Sequence, residues 1–156
     1  MEPKFFEDVK VGDKLVTPGR TITETDIVLF AGMAGTLEPL FTDMEYVKKS
    51  SLFGRRFAQG TLVLSISMGL SVQLGWTQGT AMGFLGIDQL RATKPVFCND
   101  TIHVDVEFTD KKETRHTDRG VVTTRRSVKN QDDEVVMTYM HTMLIRRRSA
   151  EGKPAH

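Results

Sequence analysis

The hydrophobic and polar positions change rhythm halfway along the chain. From Thr101 to Thr109, Ile102, Val104, Val106 and Phe108 alternate with His103, Asp105 and Glu107. That period of two places one face of a strand in the core and the other in water. Val121 to Lys129 and Glu134 to Arg147 are likewise β-rich, and the Asn and Asp residues of Asn130-Gln131-Asp132-Asp133 suit a hairpin turn between them. Gly83 to Thr93 supplies one strand earlier, with Pro95 and Asn99-Asp100 marking the loop that follows. The first half is helical. Ile27, Phe30, Ala31 and Ala34 recur at helical spacing behind a cap at Thr23 or Thr25, with Glu24 and Asp26 at the positive end of the dipole and Gly35 as the stop. Gly60 to about Leu74 is apolar nearly all the way round, which predicts a central helix buried on most sides.

Ahead of these elements, Val11-Gly12-Asp13 reads as a turn and Lys14 to Arg20 as a short edge strand. Between Gly35 and Gln59 lies a turn-rich stretch broken by a short helix near Asp43 to Ser50, and so long an irregular connection in a compact domain is usually functional. The predicted order is edge strand, helix, helical loop, buried helix, then four strands as an antiparallel meander. A curved antiparallel sheet wrapped around the central helix buries that helix most economically, so an α+β domain over residues 1–148 is expected, followed by a frayed tail over 149–156.

Composition narrows the class. The 156 residues are 39% apolar and 26% charged, with a formal net charge of +1, enough to build a core without staples and short of the cationic surplus a nucleic-acid protein needs. The one tight basic run, Arg146-Arg147-Arg148, is either a solvated strand end or a patch for a phosphorylated ligand. Cys98 is the sole cysteine, no segment is long and apolar enough to span a bilayer, and the acidic N-terminus does not look like a signal peptide. A cytoplasmic protein with no membrane and no nucleic-acid partner is the expectation.

Several segments together resemble the MaoC-like dehydratases, the family of (R)-specific enoyl-CoA hydratases. They are Thr23 to Ala31, Pro39 and Asp43, Arg56-Phe57-Ala58-Gln59-Gly60, Pro95-Val96 with Asn99-Asp100, Phe108 to Lys112, Arg119 to Val122, Val128 to Gln131 and Glu134-Val135-Val136. The resemblance implies a single hot-dog domain and a substrate that is an acyl-CoA thioester, with coenzyme A entering as part of the substrate and no other cofactor. The family's hydration motif, Gly-Asp-x-Asn-Pro-x-His-x-Asp, is similar to Gly35-Thr36-Leu37-Glu38-Pro39-Leu40-Phe41-Thr42-Asp43. Thr36, Glu38 and Phe41 stand where the resemblance implies Asp, Asn and His, while Gly35, Pro39 and Asp43 keep the frame.

Adding water to an unsaturated thioester needs a base for water, an acid for the α-carbon and donors for the enolate oxygen. Phenylalanine does none of these, and a lone threonine is no base. Glu38 is the one titratable side chain left in the motif: either a carboxylate in an apolar cleft tuned for acid/base work, or a solvated helix-capping residue. Gly60, opening the buried helix, is the expected oxyanion donor, with Gln59 beside it as a hydrogen-bonding or packing residue. Glu38, Gly60 and Thr36 are therefore the catalytic candidates, and Phe41, Phe57, Gln59 and Arg56 the substrate-binding ones. Arg55, Arg56 and Arg91 are candidate partners for coenzyme A phosphates, and Met33, Leu37, Leu40, Leu52 and Phe53 join the phenylalanines as candidate walls of an acyl tunnel.

His141 lies on the apolar face with Met137, Tyr139 and Met143, which predicts a hydrogen-bonded core histidine, and no metal-ligand spacing occurs. Three functions follow: a hydratase or dehydratase, an acyl-CoA-binding protein without chemistry, or a thioesterase that uses one carboxylate and a helix N-terminus. The sparsely charged Gly83 to Thr93 strand predicts an exposed sheet edge, and with it a two-fold homodimer or a larger even-numbered assembly.

Overall fold

A computed structural model describes residues 1–148, and the predicted tail lies outside the described residues. A 3₁₀ turn, Phe6–Asp8, precedes β1 (Lys14–Val16) and β2 (Arg20–Thr21). Three helices follow, α1 (Glu24–Ala34), α2 (Pro39–Thr42) and α3 (Met44–Ser50), then the long α4 (Gly60–Gln73). Four strands complete the domain: β3 (Ala81–Ala92), β4 (Thr101–Glu113), β5 (Arg119–Lys129) and β6 (Val135–Arg146).

The sheet order is β1-β4-β5-β6-β3, with β2 also on β4 and every pairing antiparallel. This corrects the simple four-strand meander. Only β4, β5 and β6 follow one another as hairpins, whereas β3 pairs with the far edge of β6, setting Ile87 opposite His141. The link through Pro95 is long enough to carry the chain across the sheet, while the connections after β4 and β5 hold their strands side by side.

Alternation on β4 and β5 turns Val104, Val106 and Val128 inward against Leu62, Ile66 and Leu70 of α4, and Phe108 and Val122 inward toward Phe6 and Trp76. A second apolar cluster closes one end, where Trp76 meets the Phe108 ring edge-on at 4.9 Å between centroids and Phe6 caps the sheet. The expectation that α4 is buried on most sides is only half met. Thr61, Ser65, Gly69 and Val72 form an open face, with Val72 65% exposed. Small side chains at a spacing of three to four make that face slight, and none of the described residues covers it.

The basic run is consumed at the end of β6. Arg147 pairs with Glu7 and Glu113, and Arg148 Nη2 with Asp8 at 2.7 Å, tying the N-terminal turn to the sheet. The phosphate-patch alternative has only Arg146 left free of an ion pair among the described residues.

Candidate active site

The motif loop is shaped by its frame residues. Thr23 Oγ1 accepts the Asp26 N–H while the Thr23 N–H donates to Asp26 Oδ2 at 2.8 Å, a reciprocal box that starts α1. Gly35 ends the helix at φ 71°, where a side chain would be strained. Pro39 occupies the first position of α2, and Asp43 Oδ1 accepts the N–H groups of Glu45 and Tyr46 to start α3. Gly35, Pro39 and Asp43 thus each perform a backbone task, independent of what occupies the positions between them.

At the start of α4 the first intrahelical donor is Val63, whose N–H reaches the Gln59 carbonyl at 3.1 Å. The amides of Gly60, Thr61 and Leu62 therefore lack helical acceptors and point outward at the positive end of a 14-residue helix. Gly60 is exposed, and a Cβ placed there would meet nothing within 4 Å. It forms part of a cleft of about 320 Å³ with Phe53, Phe57, Val63, Pro95 and Val136 in the walls. The walls are largely apolar. Their one charged group, Lys94, is paired with Glu134.

Phe57 stands in the cleft wall, with Phe41 edge-on against it at 5.7 Å and Phe53 at 5.3 Å between centroids. The structure thereby brings Phe41, Phe57 and Gly60 together. Gln59 is buried, its Nε2 donating to the Ile27 carbonyl at 3.2 Å, while its Oε1 has no partner among the described residues. Thr36 is half-buried and its Oγ1 is likewise unpartnered.

Glu38 takes the second of its two readings, the solvated helix-capping residue: it is exposed and is the N-cap residue of α2, serving through its carbonyl, which accepts the Phe41 N–H at 2.9 Å. The expectations for the arginines and the acyl tunnel change. Arg56 is buried and turned away from the cleft: Nη1 donates to Glu24 Oε1 at 2.6 Å and Nε to Met44 Sδ at 3.1 Å. It is a strut between α1 and α3. Arg55 lies over the Phe97 ring, 3.3 Å from its centroid, and Met33, Leu37 and Leu52 are exposed rather than walls of a tunnel. The wall residues Thr93, Lys94 and Val136 were not picked out from sequence; the only signal for them was Pro95, the break that lets the β3–β4 link fold over the mouth.

The cleft thus combines free amide donors and an apolar wall, with no carboxylate or imidazole among the described lining residues. No cluster of three or more His, Cys, Asp or Glu suited to a metal occurs among the described residues, and no helix is long and apolar enough to cross a membrane.

An antiparallel sheet curved around one helix, with that helix's N-terminus opening a cleft, is a hot-dog architecture. Residues 7–130 match the MaoC like domain, and the chain belongs to that family. It is 38% identical to Protein MaoC of Klebsiella aerogenes over 71% of its own length and 32% of that protein's. It is 32% identical to the (R)-specific enoyl-CoA hydratase of Rhodospirillum rubrum over 67% of this chain and 69% of the other. Among solved structures, a monoamine oxidase regulatory protein from Archaeoglobus fulgius superposes with TM-score 0.88 at 39% identity, covering 96% of this chain and 98% of that one. A Mycobacterium tuberculosis protein with a double hot-dog fold, 17% identical, superposes with TM-score 0.83 over 98% of this chain and 47% of its own, which speaks to the fold alone. The chain thus spans about a third of Protein MaoC and about two thirds of the hydratase.

Proposed function

We propose that this chain binds an acyl-CoA thioester with its carbonyl against the N-terminus of α4 and acts as a hydratase or dehydratase across the α,β double bond. The observation that carries the reading is Gly60: an exposed amide at the start of a 14-residue helix, with no side chain in the way, opening onto an apolar cleft. Negative charge grows on the thioester oxygen as water adds, and preorganised N–H donors at a helix N-terminus stabilise it more in the transition state than in the ground state. Phe57 and Phe53 exclude water around the acyl group, Thr36 and Gln59 keep unpartnered oxygens that are sealed from solvent, and the exposed Glu38 of the motif loop, outside the cleft wall, would take part in proton transfer only with movement of that loop.

A specific observation favours the second reading, an acyl-CoA-binding domain without turnover. Phe41 is packed into an aromatic cluster at the position where the resemblance implies a histidine, and Glu38 faces solvent. Hydration of crotonyl-CoA, followed by loss of the enoyl absorbance, separates the two. Turnover above background supports the hydratase, calorimetric binding without turnover supports the binding domain, and no binding of any acyl-CoA removes both. Release of free thiol would instead reveal a thioesterase.

The β3 edge leads to a homodimer. Its outer side pairs with no strand of the protomer, and Met82, Phe84, Leu85 and Leu90 along it are exposed. Pairing of two such edges about a two-fold axis would continue the sheet and bring a partner's residues toward the cleft. A cytoplasmic compartment is part of the same proposal.

A further inference from the structure

Away from the cleft, donors without acceptors gather beneath the C-terminal half of α4. Arg126 and His141 both project from the concave face of the sheet, and because Thr124 lies opposite His141 and Arg126 opposite Tyr139, the two are diagonal neighbours. Arg126 is 2% exposed, yet no carboxylate lies within 4 Å among the described residues. Among the described residues its one side-chain bond within 3.5 Å is a long donation from Nε to Thr124 Oγ1 at 3.4 Å, with the Tyr139 hydroxyl as the next acceptor nearby. His141 is 5% exposed and neither Nδ1 nor Nε2 has a partner among the described residues; the indole N–H of the fully buried Trp76 has none among them either. All three residues line one cavity of about 220 Å³, whose remaining walls include Met68, Val72 and Phe84.

Burial without a counter-ion is costly for a guanidinium, which stays protonated at any physiological pH. Burial lowers the Arg126 pKa. For His141, burial first and the Arg126 charge second push the pKa down to about 4, so its imidazole is neutral at pH 7 and donates from one nitrogen. Tyr139, the other titratable group beside Arg126, has its hydroxyl 2.8 Å from Ser67 Oγ and also faces the guanidinium, whose positive charge it favours as a neutral acceptor without supplying a counter-ion. A cavity offering one uncompensated positive charge, further N–H donors in its wall and otherwise apolar surroundings is complementary to a single anion carried on a short apolar body.

We propose that this cavity binds a carboxylate on a short aliphatic chain, with the carboxylate seated between the Arg126 guanidinium and the His141 imidazole and the chain against Met68, Val72 and Phe84. A planar carboxylate accepts both N–H groups of a guanidinium fork, and apolar walls reject the hydration shell of a phosphate. The same chemistry is presented by a free small acid and by the distal carboxylate of a dicarboxylic acyl thioester. The site shares no lining residue with the Gly60 cleft, so it stands independently of the reading given for that cleft; its Phe84 wall belongs to the exposed β3 edge, so in the proposed homodimer the partner closes that side of the cavity.

The test is calorimetric titration of the full chain with butyrate and with the neutral isostere butyramide, with the His141 ring signals followed by NMR. Butyrate is expected to bind saturably and to shift those signals, with butyramide at least tenfold weaker. Arg126→Met should weaken butyrate at least tenfold while raising the melting temperature of the unliganded protein, because it removes an uncompensated buried charge. A guanidinium kept only for packing would lower it. Should Arg126→Met fail to fold, His141→Gln carries the test through a several-fold loss of butyrate affinity. Succinyl-CoA binding tenfold tighter than butyryl-CoA and tighter than butyrate assigns the carboxylate to a thioester tail; butyrate binding as tightly as succinyl-CoA assigns it to a free acid. Equal affinity for butyrate and butyramide, unchanged butyrate affinity in the variants, or no binding of either carboxylate would overturn the proposal. Crotonyl-CoA binding at the Gly60 cleft would be untouched by such a failure.

Discussion

Phe41 meets Phe57 edge-on, ring centroids 5.7 Å apart, and through that contact the motif loop touches the wall of the cleft that Gly60 opens. The position implied to hold the family's histidine therefore lies one side chain from the helix N-terminus. Installing the implied pair, Thr36→Asp with Phe41→His, should raise crotonyl-CoA hydration by tenfold or more, since a positioned acid or base contributes about 10²–10⁴. A rate no higher than that of the parent chain would mean that the loop no longer presents these positions to the cleft.

Arg56 makes a contrasting prediction. Its guanidinium holds Glu24 at 2.6 Å and its stem is buried, whereas Glu24 is mostly exposed and can rehydrate. Arg56→Ala should cost about 1–3 kcal/mol in urea unfolding, through lost packing and hydrogen bonds. Its affinity for coenzyme A should remain within about twofold, and a larger drop would restore Arg56 as a ligand-binding residue.

Gly120 on β5 has the Phe6 ring directly over its Cα, so a Cβ there would collide with Phe6. Gly120→Ala should destabilise the fold by roughly 1–3 kcal/mol through overpacking. Restoring stability in Gly120→Ala with Phe6→Leu would identify the ring as the cause in a thermal melt.

Acid should weaken the fold through His141. Its pKa in the fold is lowered from 6.5 to about 4 by burial and then by Arg126. Between those values the unfolded chain holds a proton that the folded chain does not, so stability is complete above pH 6.5 and falls as pH drops toward 4. With screening by water in the adjoining cavity, the loss is on the order of 2 kcal/mol. Urea midpoints across that range should decline in the parent chain and less steeply in His141→Gln.

Much of this was legible in the sequence because it is local. The alternation at Ile102, Val104 and Val106, a threonine cap at Thr23 or Thr25 and the Gly35 stop each depend on neighbours a few residues apart, and the structure settles the cap on Thr23. The placement of β3 beyond β6 was not legible, since it pairs segments some fifty residues apart that no period records. Arg126 was missed for a different reason. It sits in register with Val122, Thr124 and Val128 on the inward face of β5, so the same alternation that located the strand core also placed a charge inside it. His141 was correctly assigned to the core, but without the hydrogen bonds expected of it.

The edge strand gives a test of assembly. Light scattering should return twice 17.5 kDa at micromolar concentration, or a larger even multiple if dimers associate further. A monomer mass would contradict pairing through β3 and the partner's approach to the cleft.

In the proposed reading the Gly60 amide polarises the thioester carbonyl, and proline can remove that amide without breaking the helix. Proline is tolerated at a first helical position, Gln59 already has the extended backbone (φ −57°, ψ 137°) that precedes proline readily, and the space at Gly60 is open. The decisive measurement is the infrared carbonyl band of ¹³C-labelled crotonyl-CoA bound to the parent chain and to Gly60→Pro, which reports polarisation whether or not turnover occurs. The band should fall below its position in water when the parent chain binds, and return toward that position in Gly60→Pro. An identical band in both proteins would contradict the assignment of Gly60 as the oxyanion donor.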